Sequence, residues 1–72
     1  MSQSKTLWLI VRRDLHGTKY LMREGLASLD AANTFIEEFK RGQLKIHGQE
    51  YEIYSYAAEE RERRIRELEI VL

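Results

Sequence analysis

LHGTKY, Leu15 to Tyr20, returns in altered form as IHGQEY, Ile46 to Tyr51: an aliphatic residue, His-Gly, two polar residues and a tyrosine. Glycine accepts positive φ freely, and histidine is found there more often than most side chains, so each His-Gly can centre a two-residue hairpin turn. With His16-Gly17 as the turn, Leu15 faces Thr18, Asp14 faces Lys19, Arg13 faces Tyr20 and Val11 faces Met22. Alternate residues of a strand share a side. One face then carries Leu7, Leu9, Val11, Tyr20 and Met22, an apolar core face. The other carries Trp8, Ile10, Arg12, Asp14, Lys19, Leu21 and Arg23, with Asp14 and Lys19 as a cross-strand ion pair.

The same rule at His47-Gly48 sets Lys45 opposite Glu50 and Leu44 opposite Tyr51. Leu44, Ile46, Tyr51 and Ile53 share one face of this second hairpin, and Lys45, Glu50, Glu52, Tyr54 and Tyr56 share the other. Its first strand is only Gln43 to Ile46, because Gly42 closes the preceding element. In a simpler arrangement Leu44 to Gln49 is a loop, and Glu50 to Tyr56 joins the first hairpin as a third strand.

Between the hairpins, SLDAANTFIEEFKRG has the marks of a helix from Ser28 to Arg41. Ser28 is a good N-cap, and Asp30 in the first turn suits the helix dipole. Leu29, Ala32, Phe35, Ile36 and Phe39 keep the apolar spacing, and Lys40 and Arg41 close the helix before Gly42. After the second hairpin, AAEERERRIRELEIVL reads as a second helix with a thin apolar stripe of Ala58, Ile65, Leu68 and Leu72. Glu59 with Arg63, Glu60 with Arg64, Glu62 with Arg66 and Arg63 with Glu67 are spaced as i,i+4 ion pairs on a solvated face. The closing ELEIVL also alternates well enough to finish as a short strand.

The fold expected is therefore α+β: a small antiparallel sheet of three or four strands with two helices, in the order ββα(β)βα, forming a single domain over residues 1–72. A ββα pseudo-repeat, 6–41 and 43–72, would explain the repeated hexapeptide, although its helices superpose poorly, Phe35 falling on Arg66 and Ile36 on Glu67. A chain of 72 residues buries only about 60% of the surface it exposes when unfolded. With no cysteine there is no disulfide or thiolate metal site, which leaves good packing or oligomerisation to stabilise it.

Twelve basic residues balance twelve acidic ones, so the chain as a whole sets up no broad field for polyanions. No apolar run approaches the roughly 18 residues of a membrane span, and Met1 to Ser4 lacks the character of a signal peptide; a soluble, cytoplasmic protein without a membrane partner is expected. Histidine is the side chain whose unperturbed pKa lies nearest neutrality, and both His16 and His47 fall at turn tips, where they read as plain turn residues. The carboxylates form no acid/base pair, no nucleophile stands beside a base, and no glycine loop cradles phosphate. The expectation is a non-enzyme with no cofactor and no metal site.

Two binding readings remain. If the first helix covers Leu9, Val11 and Met22, then Trp8, Ile10, Leu21, Tyr54 and Tyr56 gather on the far side of the sheet. The second helix, through Ile65, Leu68 and Leu72, or a partner covers that patch. This predicts a protein partner or self-association as a homodimer, on the scale of the small accessory and inhibitor proteins of phages and mobile elements. The alternative is a basic hairpin on nucleic acid through Arg12, Arg13, Lys19 and Arg23, with Trp8 available to stack on a base.

Overall fold

The computed structural model describes residues 5–41 and 50–72. Strands β1 (Thr6–Arg13) and β2 (Lys19–Leu26) are followed by helix α1 (Leu29–Arg41) and strand β3 (Glu50–Ala57). A 3-10 turn at Ala58–Glu60 then leads into helix α2 (Arg61–Glu67), and the short strand β4 (Ile70–Val71) completes the fold. The α+β class and the two helices are as expected. The sheet has four strands in the order β3-β1-β2-β4. It is mixed rather than wholly antiparallel, because β4 runs parallel to β2. The expected strand Gln43–Ile46 and its turn at His47-Gly48 lie outside the described residues.

The hairpin forms where the repeated motif put it, but its turn is one residue longer. Asp14 and Thr18 close the loop through Asp14 N–H to Thr18 O at 3.1 Å, and Gly17, at φ +83°, donates to Asp14 O. This is a three-residue loop with glycine at its left-handed position. Asp14 organises it, its Oδ1 accepting from the amides of His16 and Thr18 at 2.9 and 3.0 Å. The expected Asp14–Lys19 ion pair therefore does not form. The longer turn also slips the register by one, pairing Arg13 with Lys19, Arg12 with Tyr20 and Val11 with Leu21. A one-residue slip exchanges the faces of a strand. Leu21 thus replaces Tyr20 and Met22 beside Val11.

Further along, two register shifts interrupt the β1–β2 ladder, where Ile10 pairs with Arg23 and Trp8 with Leu26. Gly25, at φ +76°, lies in the second irregularity. Its amide donates to the Tyr56 hydroxyl at 2.8 Å, a contact that ties β2 to β3 across the central strand.

Each face of the sheet carries one helix. Leu9, Val11, Tyr56, Ile65 and Ile70 form the core beneath α2, with Leu7, Leu21, Tyr54 and Leu68 packed at its margin. Ile10 and Ala32 are fully buried outside that cluster, on the side where α1 lies. There Phe39 meets Tyr51 edge to face at 5.9 Å, and Phe35 stacks with Phe39 at 6.1 Å. Both β2 and β3 are antiparallel to β1, so β2, β3 and β4 all run the same way. The connections β2–α1–β3 and β3–α2–β4 are then crossovers between parallel strands, travelling in opposite directions across the sheet. Crossovers of one hand, the near-universal right-handed sense, place their helices on opposite faces when they travel in opposite directions.

Ser28 caps α1 as its sequence implied, its Oγ accepting from Ala31 N–H at 3.0 Å. The second helix is much shorter than the sequence suggested. Leu68 and Glu69 close it through amides donated to Arg64 O and Arg66 O, and Glu69 adopts φ 55°, which turns the chain out of the helix. Ile70 and Val71 then pair with Lys19 and Tyr20, so the strand-like ending is the one adopted. Of the four expected i,i+4 ion pairs, Arg63–Glu67 forms at 3.0 Å; Arg63 also reaches Glu60, and Arg64 reaches Glu67.

Candidate functional site

The anticipated apolar patch is divided between the two faces. Leu9 pairs with Tyr54 and Leu7 with Tyr56, which places both tyrosines with Leu21, Ile65 and Leu68 under α2. Trp8 pairs with Ser55 and Ile10 with Ile53, on the α1 side. The expectation that Trp8, Ile10, Leu21, Tyr54 and Tyr56 share one face of the sheet is corrected by this alternation, because Tyr54 and Tyr56 fall in register with the odd-numbered residues of β1. Ile10, Tyr56 and Ile65 are buried, and Trp8, Leu21, Tyr54 and Leu68 are half-buried. They build the core and its margins.

The basic residues are likewise split. Arg13 pairs with Glu50 and lies 3.8 Å from Glu52; Lys19 donates to Leu68 O at 3.3 Å, at the C-terminal end of α2, where a cation suits the dipole. Both are engaged on the α2 face. Arg12 and Arg23 lie on the α1 face, with guanidinium carbons 5.3 Å from the Tyr20 ring and 5.0 Å from the Phe35 ring; Lys40 lies 5.5 Å from Tyr51. Among the described residues none of these three has a carboxylate partner, and Arg12 Nε is buried without a hydrogen-bond acceptor. His16 stands exposed at the hairpin tip, and His47 lies outside the described residues. Among the described residues no group of three metal-ligating side chains comes together, and no helix is long and apolar enough to cross a membrane.

The outer edge of β3 has a geometry that sequence reasoning did not isolate. Ala58 N–H donates to Lys5 O at 2.9 Å, which fixes which backbone groups of the preceding strand face β1. Hydrogen-bonded pairs alternate along an antiparallel ladder, so Glu50, Glu52, Tyr54 and Tyr56 turn their amides and carbonyls inward. Tyr51, Ile53, Ser55 and Ala57 turn theirs outward. Of these outward groups, Ala57 C=O, at the N-cap of the 3-10 turn, is engaged by that turn, and Ser55 C=O accepts from Arg64 Nε at 3.0 Å. Arg64 reaches it from α2, across an open groove of about 320 Å³ lined by Ser55, Tyr56, Glu60, Arg63, Arg64 and Glu67.

Charged groups line the edge. Glu50 and Glu52 occupy its first half beside Arg13, and Arg63 and Arg64 of α2 flank its second together with Glu60 and Glu67, with which they pair. Tyr54 stands between them, its ring 5.7 Å from Lys19 Nζ and 5.9 Å from the Arg64 guanidinium carbon. Its hydroxyl donates to Glu52 at 2.9 Å. Desolvation, then the Glu52 contact, push the Tyr54 hydroxyl above its ordinary pKa, against the pull of Arg13 and Arg64. Alternation within EYEIYSYA marked a strand, but a strand's place at an edge depends on its neighbours, which local sequence does not name. Comparison with known protein families, with curated proteins and with solved structures finds no match for the chain.

Proposed function

We propose that the chain is a small non-enzymatic binding protein that takes a strand of a protein partner onto the outer edge of β3. The observation that carries this reading is the row of outward backbone groups on Tyr51, Ile53, Ser55 and Ala57, on a strand held rigidly by pairing along its whole length with β1. An open edge adds a partner strand through main-chain hydrogen bonds, with neighbouring side chains supplying specificity. The scale suits an accessory or inhibitor protein of a phage or mobile element, as it suits other small binding modules. A cytoplasmic setting belongs to the same proposal, since a chain without cysteine draws nothing from an oxidising compartment.

Ser55→Pro tests the reading. It removes an outward amide and a small side chain while leaving the ladder to β1 intact, the position an edge proline tolerates. The variant is expected to keep the wild-type circular dichroism spectrum and to lose the partners that the wild-type chain captures. Equal capture by the folded variant would refute strand addition.

A second reading has its own observation. Arg12, Arg23 and Lys40, lying over aromatic rings without carboxylate partners among the described residues, form the kind of mixed surface that holds single-stranded nucleic acid. Arg13 and Lys19 drop out of it because they are engaged elsewhere. Oligonucleotide binding should then weaken steeply with salt and fall in Arg12→Ala/Arg23→Ala but not in Arg13→Ala. Binding indifferent to salt would exclude it.

A further inference from the structure

We infer that the strand taken up at the edge of β3 is supplied by a second copy of this chain, paired antiparallel about a two-fold axis at Ile53; this rests on the strand-addition reading above. A two-fold axis normal to the sheet keeps the α1 face and the α2 face continuous across both copies. Residues meeting across the new ladder therefore share a face, and the hydrogen-bonded pairs come from Tyr51, Ile53, Ser55 and Ala57, whose backbone groups point outward.

Charge then selects among the allowed registers. Pairing Tyr51 with itself, or with the partner's Ile53, brings Glu50 against the partner's Glu52 or Glu52 against the partner's Glu52, and like charges directly opposite are unfavourable. Centring the pair on Tyr54 or Ser55 gathers the Lys19 and Arg64 cations of both copies around the axis. The Ile53-centred register does neither. Ile53 meets the partner's Ile53, Tyr51 meets the partner's Ser55, and Glu52 meets the partner's Tyr54 beneath the two cations that flank that ring. Glu50 falls opposite the partner's Tyr56, beside the groove that Arg63 and Arg64 line with their partners Glu60 and Glu67. By symmetry each favourable contact occurs twice. Arg64 need not leave Ser55 C=O, because a carbonyl oxygen accepts two hydrogen bonds.

The absence of cysteine makes the register directly measurable. A hydrogen-bonded antiparallel pair has Cα atoms about 5.5 Å apart, inside the range a disulfide spans. Ile53→Cys is expected to give a disulfide-linked dimer on mild oxidation, and Glu52→Cys and Tyr54→Cys are expected to form no intermolecular disulfide. Cross-linking through either of those positions in its place would overturn the register. Wild-type chain, followed by amide exchange and light scattering over a concentration series, tests the same claim should Ile53→Cys not fold. Amides of Tyr51, Ile53 and Ser55 should slow at least about tenfold as the mass doubles, while those of Glu52 and Tyr54 stay slow throughout. A monomer at every concentration, with capture of other proteins still lost in Ser55→Pro, would overturn the second copy and leave strand addition standing. Slow exchange of Tyr51 and Ile53 in the dilute monomer would show the edge closed within one chain, and both readings would fall.

Discussion

The two faces of the sheet are held in different ways. Under α2, a helix of only seven residues, the apolar cluster is small and directed polar contacts surround it. Arg61 pairs with Glu24, donating to its Oε2 at 2.7 Å; Arg64 holds Ser55 C=O, and Lys19 holds the end of the helix at Leu68. Under α1, of thirteen residues, Ile10 and Ala32 are buried and the aromatic rings Phe35, Phe39 and Tyr51 make the contacts, with cations laid over them. The difference follows from length. A helix of two turns has too little apolar face and too little intrinsic stability to stay docked without directed contacts. A longer amphipathic helix docks by area, and its neighbouring cations remain available to other partners.

Removing core side chains should break the contrast most severely. Leu9→Ala on the α2 face and Ile10→Ala on the α1 face should each cost about 2–5 kcal/mol in urea unfolding, since both side chains are fully buried. Should one of them cost much less than the other, that face would be a cover rather than a core. Tyr56→Phe comes next: it leaves the ring in place but strands the Gly25 amide, at a cost of about 1–2 kcal/mol in the same measurement.

Smaller effects sharpen the picture at the two left-handed residues. Gly17→Ala should destabilise by about 1 kcal/mol and Glu69→Gly should stabilise by up to about 1 kcal/mol, because a side chain at positive φ is strained and glycine is not. Thermal melts of the pair should move in opposite directions. The smallest effect is electrostatic. Arg61 holds the Glu24 carboxyl below its usual range, chiefly through their hydrogen bond and against some desolvation. A depressed folded pKa contributes stability that is complete above the unfolded value of about 4.3 and fades as pH falls through the folded value. Both side chains are about a third exposed, so the contribution stays within roughly 1 kcal/mol. Glu24→Gln should flatten that part of the acid stability profile, lowering stability by up to that amount at neutral pH and converging with the wild type at low pH.

Much of the local structure is legible in the residues themselves. The first hairpin lies where Gly17 allows it, α1 begins at the Ser28 cap, and ELEIVL leaves the helix for a strand as its alternation permits. What the residues did not reveal is the long-range pairing. Glu24 with Arg61 and Arg64 with Ser55 join elements that no local period connects, and β3 lies at an edge among the described residues because β1 takes its other side.

Alternation and capping residues, then, were enough to fix the element types, the hairpin and the α+β class, because each depends on neighbours within a few positions along the chain. Register and faces were decided by the tertiary structure. One extra residue in the Asp14–Thr18 loop moved Leu21 to the margin of the core in place of Tyr20 and Met22. Two crossovers travelling in opposite directions put α1 and α2 on opposite sides, and so divided the apolar residues that a hairpin-repeat reading had gathered into one patch. A strand's side chains have two faces of equal standing until a turn length and a crossover direction choose between them.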